Sequence, residues 1–156
     1  MDYGAISGVS VTDNVALITA GNLANDSYLI HRIFSAVAKE RIHIDMISLS
    51  QPYKNNISLS FTVDETDVLS VIETIGKFKT LTCDVNSGNS KVTVCGSGRI
   101  SSATLASEVL DLLFDCGADI KLITASDETI SMLIGDSHTD IVQKMLEGRV
   151  QGKSDV

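Results

Sequence analysis

Apolar and polar positions follow the same order twice along this chain. The segment 33–50 aligns without a gap on 109–126, and after three lost positions the alignment resumes with 57–61 on 130–134. The lost positions fall in a polar connection, so the apolar phase is the same on both sides of it. Two copies are too few for a solenoid. The pattern therefore predicts a pair of small fold units that share an interface.

Each copy predicts the element order β-α-β-β-α-β. In the first copy, apolar residues at helical spacing predict two helices, the first capped by Asp26 or Ser27 and the second by Thr66. The predicted strands of this copy are 15–21, 42–50, 57–64 and 81–86. Such an order is typical of the α+β class, in which each ferredoxin-like βαββαβ unit has a four-stranded antiparallel sheet with two helices on one face.

The second copy repeats this order but lacks the closing strand. Its predicted elements are strands at 91–98, 119–126 and 129–135 and helices at 102–116 and 140–147. The segment 6–12 precedes the first strand of copy one as 83–88 precedes the first strand of copy two. We therefore expect one domain at 13–87 and a second at 88–148, completed by an N-terminal strand at 6–12. The alternative is that 6–12 is a linker.

The charge and composition of the chain exclude several classes of protein. The 156 residues carry a net charge of −8, which argues against a nucleic-acid partner because phosphates need clusters of Lys and Arg. No apolar run is long enough to cross a membrane, and residues 1–8 lack the features of a signal peptide. Cys83, Cys95 and Cys116 are far apart, so we expect reduced thiols in a cytoplasmic protein.

Motifs that could indicate chemistry are weak. Gly96-Ser97-Gly98 resembles the start of a dinucleotide-binding loop, but Ser101 stands where a third Gly is needed, so a tight turn is the better interpretation. The carboxylates of 64–67 precede a helix, and capping explains them better than a cation site. The three His have no metal-like spacing. We expect no catalytic residue, no metal and no cofactor in this segment.

Three separate stretches resemble the tandem ACT regulatory region at the C-terminus of aspartate kinases. Ile42–Ile47 (IHIDMI) is similar to the family's INVDMI, Ile57–Val63 (ISLSFTV) to its DISFTV, and Gly117–Ile134 to its second-module strand pair without a gap. Ile6–Val9 also resembles the junction at which the kinase domain ends. The resemblance covers Ile6–Val150 and implies two ACT domains. The catalytic domain, which would use ATP and magnesium, is not expected within this segment.

The resemblance also implies a site for a free amino acid. A helix N-terminus suits a carboxylate because its N–H groups are unpaired, and strand carbonyls with an Asp suit an ammonium group. The implied effector contacts are Asn25, Asp26, Ser27 and Tyr28 for the carboxylate, Ile44 and Asp45 for the ammonium group with His43 as a lining residue, Ser50 and Gln51 for the effector side chain, and Asp119 and Ile120 where modules pair across chains.

Two departures from the family pattern bear on the effector. The usual Pro-Gly of the first loop is Ser27-Tyr28 here, which places a bulky ring where a carboxylate would approach the backbone. Leu49 takes the place of the Gln that binds threonine in threonine-sensitive relatives. We expect feedback regulation by lysine and/or threonine, with lysine favoured, in a homodimer attached to an aspartate kinase catalytic domain. The alternatives are a free-standing ACT sensor and a dimerisation module that has lost ligand binding.

Overall fold

The chain folds into six strands and four helices within the part that the structure describes. The structure, a computed structural model, describes residues 6–98 and 100–150. In chain order the elements are β1 (Ile6–Ala24), α1 (Ser27–Lys39), β2 (Ile47–Leu49), β3 (Asn56–Asp64), α2 (Val68–Gly76), β4 (Thr82–Gly96), α3 (Ser102–Cys116), β5 (Ile120–Ala125), β6 (Thr129–Gly135) and α4 (Thr139–Glu147). The predicted α+β class is confirmed. None of the helices described is long and apolar enough to span a membrane.

The contacts between residues divide the chain into two compact units. The first unit is Asn14–Gly88, and the second unit combines the described residues up to Asp13 with those from Asn89 onward. Strands β1 and β4 are long enough to contribute one end to each unit.

In the first unit the hydrogen-bonded strands follow the order β2-β3-β1-β4. Strand β3 is antiparallel to both neighbours, with Ile18 opposite Phe61 on β1 and Ile47 opposite Phe61 on β2. Inward residues of the strands and the buried stripes of α1 and α2 form one core, in which the rings of Phe34 and Phe61 lie 6.2 Å apart. Both helices therefore pack on the same face of the sheet, as the βαββαβ order requires.

In the second unit the order is β1-β4-β6-β5. Val92 of β4 lies opposite Met132 of β6, and both are fully buried. Ile6, at the start of β1, is 1% exposed and belongs to this core. Beside it, the Ser7 hydroxyl donates a 2.8 Å hydrogen bond to the carbonyl oxygen of Gly96. The N-terminal end of β1 thus lies next to the C-terminal end of β4.

Two boundaries between predicted strands are absent because the chain stays extended through them. The predicted strands 6–12 and 15–21 form one strand, β1, and Asn14 within it has φ +57°. Likewise 81–86 and 91–98 are joined in β4, where Gly88 has φ +76°. Asn and Gly tolerate the left-handed region better than other residues, so each strand continues past a single irregular position.

The predicted strand 42–50 is wrong over most of its length, because β2 is limited to Ile47–Leu49. The N–H groups of Asp45 and Met46 both point to Thr62, the first to its carbonyl oxygen at 3.2 Å and the second to its hydroxyl at 2.9 Å. Two residues therefore oppose one on β3, which interrupts the regular ladder.

Of the two predicted helix caps, the one at α1 is observed and the one at α2 is not. Asp26 caps α1, and Ser101 caps α3, which has the predicted bounds. The predicted cap Thr66 is wrong, because Asp64 accepts hydrogen bonds from both the N–H and the hydroxyl of Thr66 in a 3₁₀ turn before α2. These two bonds hold the pKa of the Asp64 carboxyl below its usual value.

The three cysteines are free thiols in the structure, Cys83 and Cys95 on β4 and Cys116 on α3. Burial, followed by the nearby Asp84, raises the pKa of the Cys83 thiol. Burial and then Asp115 raise the pKa of Cys116 in the same direction. A thiol with a raised pKa forms less of the nucleophilic thiolate at neutral pH.

Candidate functional site

One end of the first unit brings together the connection after β1 and the connection between β2 and β3. The N–H of Asn25 donates to the carbonyl oxygen of Asn55 at 2.9 Å. On the other side, the N–H of Ser58 donates to the Ser50 hydroxyl at 2.8 Å, and the N–H of Ser50 donates to the carbonyl oxygen of Ser58 at 2.9 Å. These bonds fix both connections to the start of β3.

The β2–β3 connection ends in a tight two-residue turn. Tyr53 and Asn56 exchange two backbone hydrogen bonds of 2.8 and 2.9 Å around Lys54 and Asn55. Both central residues have positive φ, +48° and +63°, as a type I′ hairpin turn requires. The predicted hairpin is confirmed, and its turn directs the Lys54 side chain toward the ring of Tyr53, with Nζ 5.5 Å from the ring centroid.

A bulge near the end of β1 shapes the opposite wall. The register with β3 shifts between Ala20 and Leu23, and Asn22 within the shift has φ +54°. The Asn22 side-chain amide donates a 2.8 Å hydrogen bond to the carbonyl oxygen of Thr80. At Gly21 an added Cβ would lie 2.5 Å from the Thr82 hydroxyl, so this position favours a residue without a side chain.

An open cavity of about 410 Å³ lies between these walls. Its lining is polar and includes two of the predicted effector residues, Ser50 and Gln51. The other lining residues are Asn22, Tyr53, Lys54, Asn56, Ile57 and Ser58. The volume falls within the range of small-ligand sites, and hydroxyl, amide and ammonium groups suit a small polar molecule with a carboxylate.

The predicted carboxylate loop lies beside this region at the start of α1, and Asp26 already occupies part of it. The Asp26 side chain accepts a 2.9 Å hydrogen bond from the N–H of Tyr28, and its carbonyl oxygen accepts one from Ile30. Ser27 and Leu29 are left as the remaining first-turn N–H donors. A ligand carboxylate at this helix end would therefore compete with the Asp26 carboxylate.

The structure separates the predicted ammonium residues from this end of the unit. Asp45 is exposed beside Thr62, whereas Ser50 lies beside Ser58. Four residues of β3 span roughly 13 Å, so Asp45 lies at the other end of the strand within one chain. His43 and Ile44 precede Asp45 in the same connection. The predicted residues thus form two groups in the first unit.

The two predicted residues from the second repeat belong to the second unit. Asp119 is exposed just before β5, and Ile120 is opposite Ile134 on β6. The register shifts after Ile120, at Lys121, whose Nζ is hydrogen-bonded to the Asn89 side chain. Lys121 aligns with Asp45 in the repeat, so the two units carry opposite charges at equivalent bulges.

Two residues that line the cavity, Asn22 and Lys54, are not among the effector contacts predicted from the sequence. The signal for Lys54 was present in the string Lys54-Asn55-Asn56, because Asn favours the left-handed turn that places the lysine at the mouth of the cavity. Asn22 gave no such signal, because its role depends on a bulge that the hydrophobic pattern does not show.

The chain is similar in sequence to about a third of the length of aspartokinases, and the predicted resemblance is confirmed. It is 26% identical over 133 residues to the aspartokinase of Geobacillus stearothermophilus, which covers 85% of this chain and 33% of that protein. It is 24% identical over 159 residues to the aspartokinase of Corynebacterium glutamicum, covering 97% and 37%. The chain therefore spans about a third of the length of the curated relatives it matches. No protein-family model matches the chain.

The fold is that of the regulatory subunit of aspartate kinase. The ligand-free regulatory subunit from Thermus thermophilus superposes with a TM-score of 0.83 at 20% identity, covering 93% of this chain and 98% of that one. The aspartate kinase of Synechocystis gives a TM-score of 0.88 at 22% identity, covering 100% of this chain and 29% of that one. E. coli aspartokinase III in complex with lysine and aspartate gives 0.73 at 18% identity, covering 97% and 34%.

Proposed function

We propose that this chain is the regulatory ACT region of an aspartate kinase and binds a free amino acid for feedback control. One observation carries the proposal: the chain matches nearly the whole of a separate regulatory subunit but about a third of complete aspartokinases. The catalytic domain is the proposed partner, and ATP and magnesium belong to that domain. We expect the assembly in the cytoplasm.

Lysine is the proposed effector, with threonine as the second candidate. The polar cavity of the first unit has groups for a carboxylate, and Leu49 offers no hydrogen bond to a threonine hydroxyl. A related enzyme, E. coli aspartokinase III, has been crystallised with lysine. The ε-ammonium group of lysine needs a carboxylate. Asp45 is the proposed partner because its side chain is exposed and is not part of the core.

The separation of Asp45 from the loops supports a site shared between two copies of the chain. Strand β2 ends the strand order of the first unit, and Ile47 and Leu49 on it are 52% and 51% exposed. A short apolar edge strand is suited to pairing with another chain. A homodimer through this edge would place one chain's Asp45 near the other's loop.

Regulation follows if the effector binds one arrangement of the modules more tightly than another. The effector then increases the population of the arrangement that it binds more tightly. The activity of the attached catalytic domain changes as this population changes. A coupling of about 1–3 kcal/mol is sufficient for useful inhibition.

Calorimetric titration with lysine and with threonine tests this proposal. Because a charge-assisted hydrogen bond contributes about 1.5–3 kcal/mol, Asp45→Ala should weaken lysine binding by about tenfold or more. Asp84→Ala is the matched control, since Asp84 is exposed in the same unit but lies on β4, away from the cavity. Equal lysine affinity in both variants would place the ammonium site elsewhere, and no binding of either amino acid would reject the effector proposal.

A pairing module without a ligand is the second candidate, and Asp26 favours it. Its carboxylate occupies the N–H of Tyr28, where an effector carboxylate would bind. Asp26→Ala separates the two functions, because it should strengthen amino-acid binding in a sensor by removing the competing carboxylate, whereas a pairing module should show no binding.

A further inference from the structure

The positive charges of this acidic chain are concentrated in one part of the first unit. The segments 28–41 and 77–79 contain five of the twelve Lys and Arg but one of the twenty Asp and Glu, Glu40. The rest of the chain therefore has seven cations and nineteen carboxylates. Segregation of this size produces a local positive potential that attracts anions.

The structure brings both segments to one groove of about 480 Å³. Arg32 and Lys39 of α1 and Lys77 after α2 all line it, and Tyr28 lines it at the start of α1. Tyr28, Arg32 and Lys39 follow helical spacing on one face of α1, which gives the groove a length of roughly 17 Å at 1.5 Å per residue. Glu40 is the one carboxylate among the described lining residues.

The Arg32 side chain packs on an aromatic ring in this groove. Its guanidinium carbon lies 5.4 Å from the centroid of the Phe78 ring, and Phe78 is partly buried against the core of the unit. A stacked guanidinium keeps its planar set of N–H donors available to an anion. Among the residues that the structure describes, no carboxylate forms an ion pair with Arg32, Lys39 or Lys77.

Helix dipoles account for part of this charge but not for all of it. Lys39 lies in the last turn of α1 and Lys77 is the C-cap of α2, where a cation offsets the partial negative charge of the helix end. Arg32 lies in the middle of α1, and Arg41 and Lys79 lie beyond the helices. Of the cations that line the groove, Arg32 is therefore the one that the helix dipoles do not explain.

We infer that this groove binds a small phosphorylated anion with two or more neighbouring phosphate groups. Arg32 and Lys39 on one face of α1, together with Lys77 in the same groove, match a phosphate chain. The Tyr28 ring, which is 67% exposed at one end of the groove, could stack on an attached base. The chain of phosphates can come from a nucleotide or from inorganic polyphosphate. The groove shares no lining residue with the proposed amino-acid cavity, although the N–H of Tyr28 lies at the adjoining helix start.

Titration calorimetry of the full chain at low ionic strength, with inorganic tripolyphosphate and with ATP in the absence of metal, tests the inference. The double variant Arg32→Gln/Lys77→Gln should bind tripolyphosphate at least tenfold more weakly than the parent chain. Lys54→Gln is the matched control, because it removes an exposed cation from the other cavity of the same unit. It should bind with unchanged affinity, and all three proteins should unfold at similar temperatures because the altered side chains are exposed.

The arms of the experiment identify the source of the phosphates. Tighter binding of ATP than of tripolyphosphate, with the difference lost in Tyr28→Ala, would assign a nucleotide. Equal binding would assign the free phosphate chain. Absence of binding by both compounds, or an equal loss in the double variant and in Lys54→Gln, would overturn the inference. The double variant should bind lysine as tightly as the parent chain does. That outcome would show that its loss of tripolyphosphate binding does not arise from damage to the proposed effector site.

Discussion

The two units have the same order of strands and helices but differ in the connections at the strand ends. In the first unit the bulge at Asn22 and the long β2–β3 connection border a cavity of about 410 Å³. In the second unit the β5–β6 connection is short, and the N–H of Ser126 donates to the carbonyl oxygen of Thr129 at 2.9 Å. The repeated core fixes the fold, and the connections make one unit different from the other.

The helix surfaces differ in the same way. The outer part of α1 and the end of α2 form a groove with Arg32, Lys39 and Lys77. On α3 of the second unit, Phe114 is 82% exposed at the position that aligns with Ala38. A duplicated unit can therefore keep its buried stripe while its outer face changes, since Ala38 aligns with Phe114 and Lys39 with Asp115.

The largest loss of stability is expected from substitutions in the two cores, which differ in aromatic content. Phe61→Ala should lower the free energy of unfolding by about 4 kcal/mol, because it removes a fully buried ring that packs on Phe34. At the topologically equivalent position on β6, Met132→Ala should cost about 3 kcal/mol, because Met132 is also fully buried. Denaturant unfolding with hydrogen exchange measures both. Loss of protection spread equally over both units in each variant would contradict two separate cores.

The N-terminal end of β1 tests the division into two units. It belongs to the second unit, although the rest of β1 belongs to the first. Ile6→Ala should cost about 3 kcal/mol, since Ile6 is 1% exposed in the core of the second unit. Hydrogen exchange should show lost protection in β4 near Val92 and Val94. Lost protection confined to β2 and β3 would reject this assignment of the strand.

A smaller effect is expected at the two helix caps. Asp26→Ala and Ser101→Ala should each cost about 1 kcal/mol, because each side chain accepts a hydrogen bond from its helix N-terminus. Thermal unfolding measures the stability of both variants. Only the change at Asp26 should also alter amino-acid binding, and an equal change in binding for Ser101→Ala would remove the functional difference between the units.

The smallest effect is a pH dependence specific to the first unit. Asp64 caps the turn before α2, whereas Gly135 at the equivalent turn makes no side-chain cap. The folded-state pKa of Asp64 lies below the usual 3.8, so its contribution is present above pH 3.8 and is lost as the pH falls through the lower folded value. The stability difference between the parent chain and Asp64→Asn should shrink in that acid range, and a difference independent of pH would contradict the cap.

The hydrophobic pattern was sufficient for elements whose limits are set locally. The stripe Leu105, Val109 and Leu112, with Ser101 before it and Gly117 after it, gave α3 its observed bounds. In contrast, the length of β2 depends on the Thr62 hydroxyl, which accepts a backbone N–H from another segment. A contact with a residue distant in sequence leaves no local pattern to detect.

The candidate site was predictable in part for a related reason. Ser50 and Gln51 line the cavity, as the family resemblance implied. Asp45 is implied by the same resemblance but lies at the other end of β3. A family motif identifies residues that act together without stating whether they come from one chain or two. The sequence therefore could not show that Asp45 lies apart from Ser50 and Gln51 within one chain.

Backbone amide NMR during titration with lysine tests the central claim that the amino-acid site belongs to the first unit. The account predicts shifts that saturate at the connections 22–28 and 50–58 and at Asp45, with smaller changes in the second unit. Shifts that centre on the connection between β5 and β6, or on the exposed face of α3 near Phe114, would contradict it.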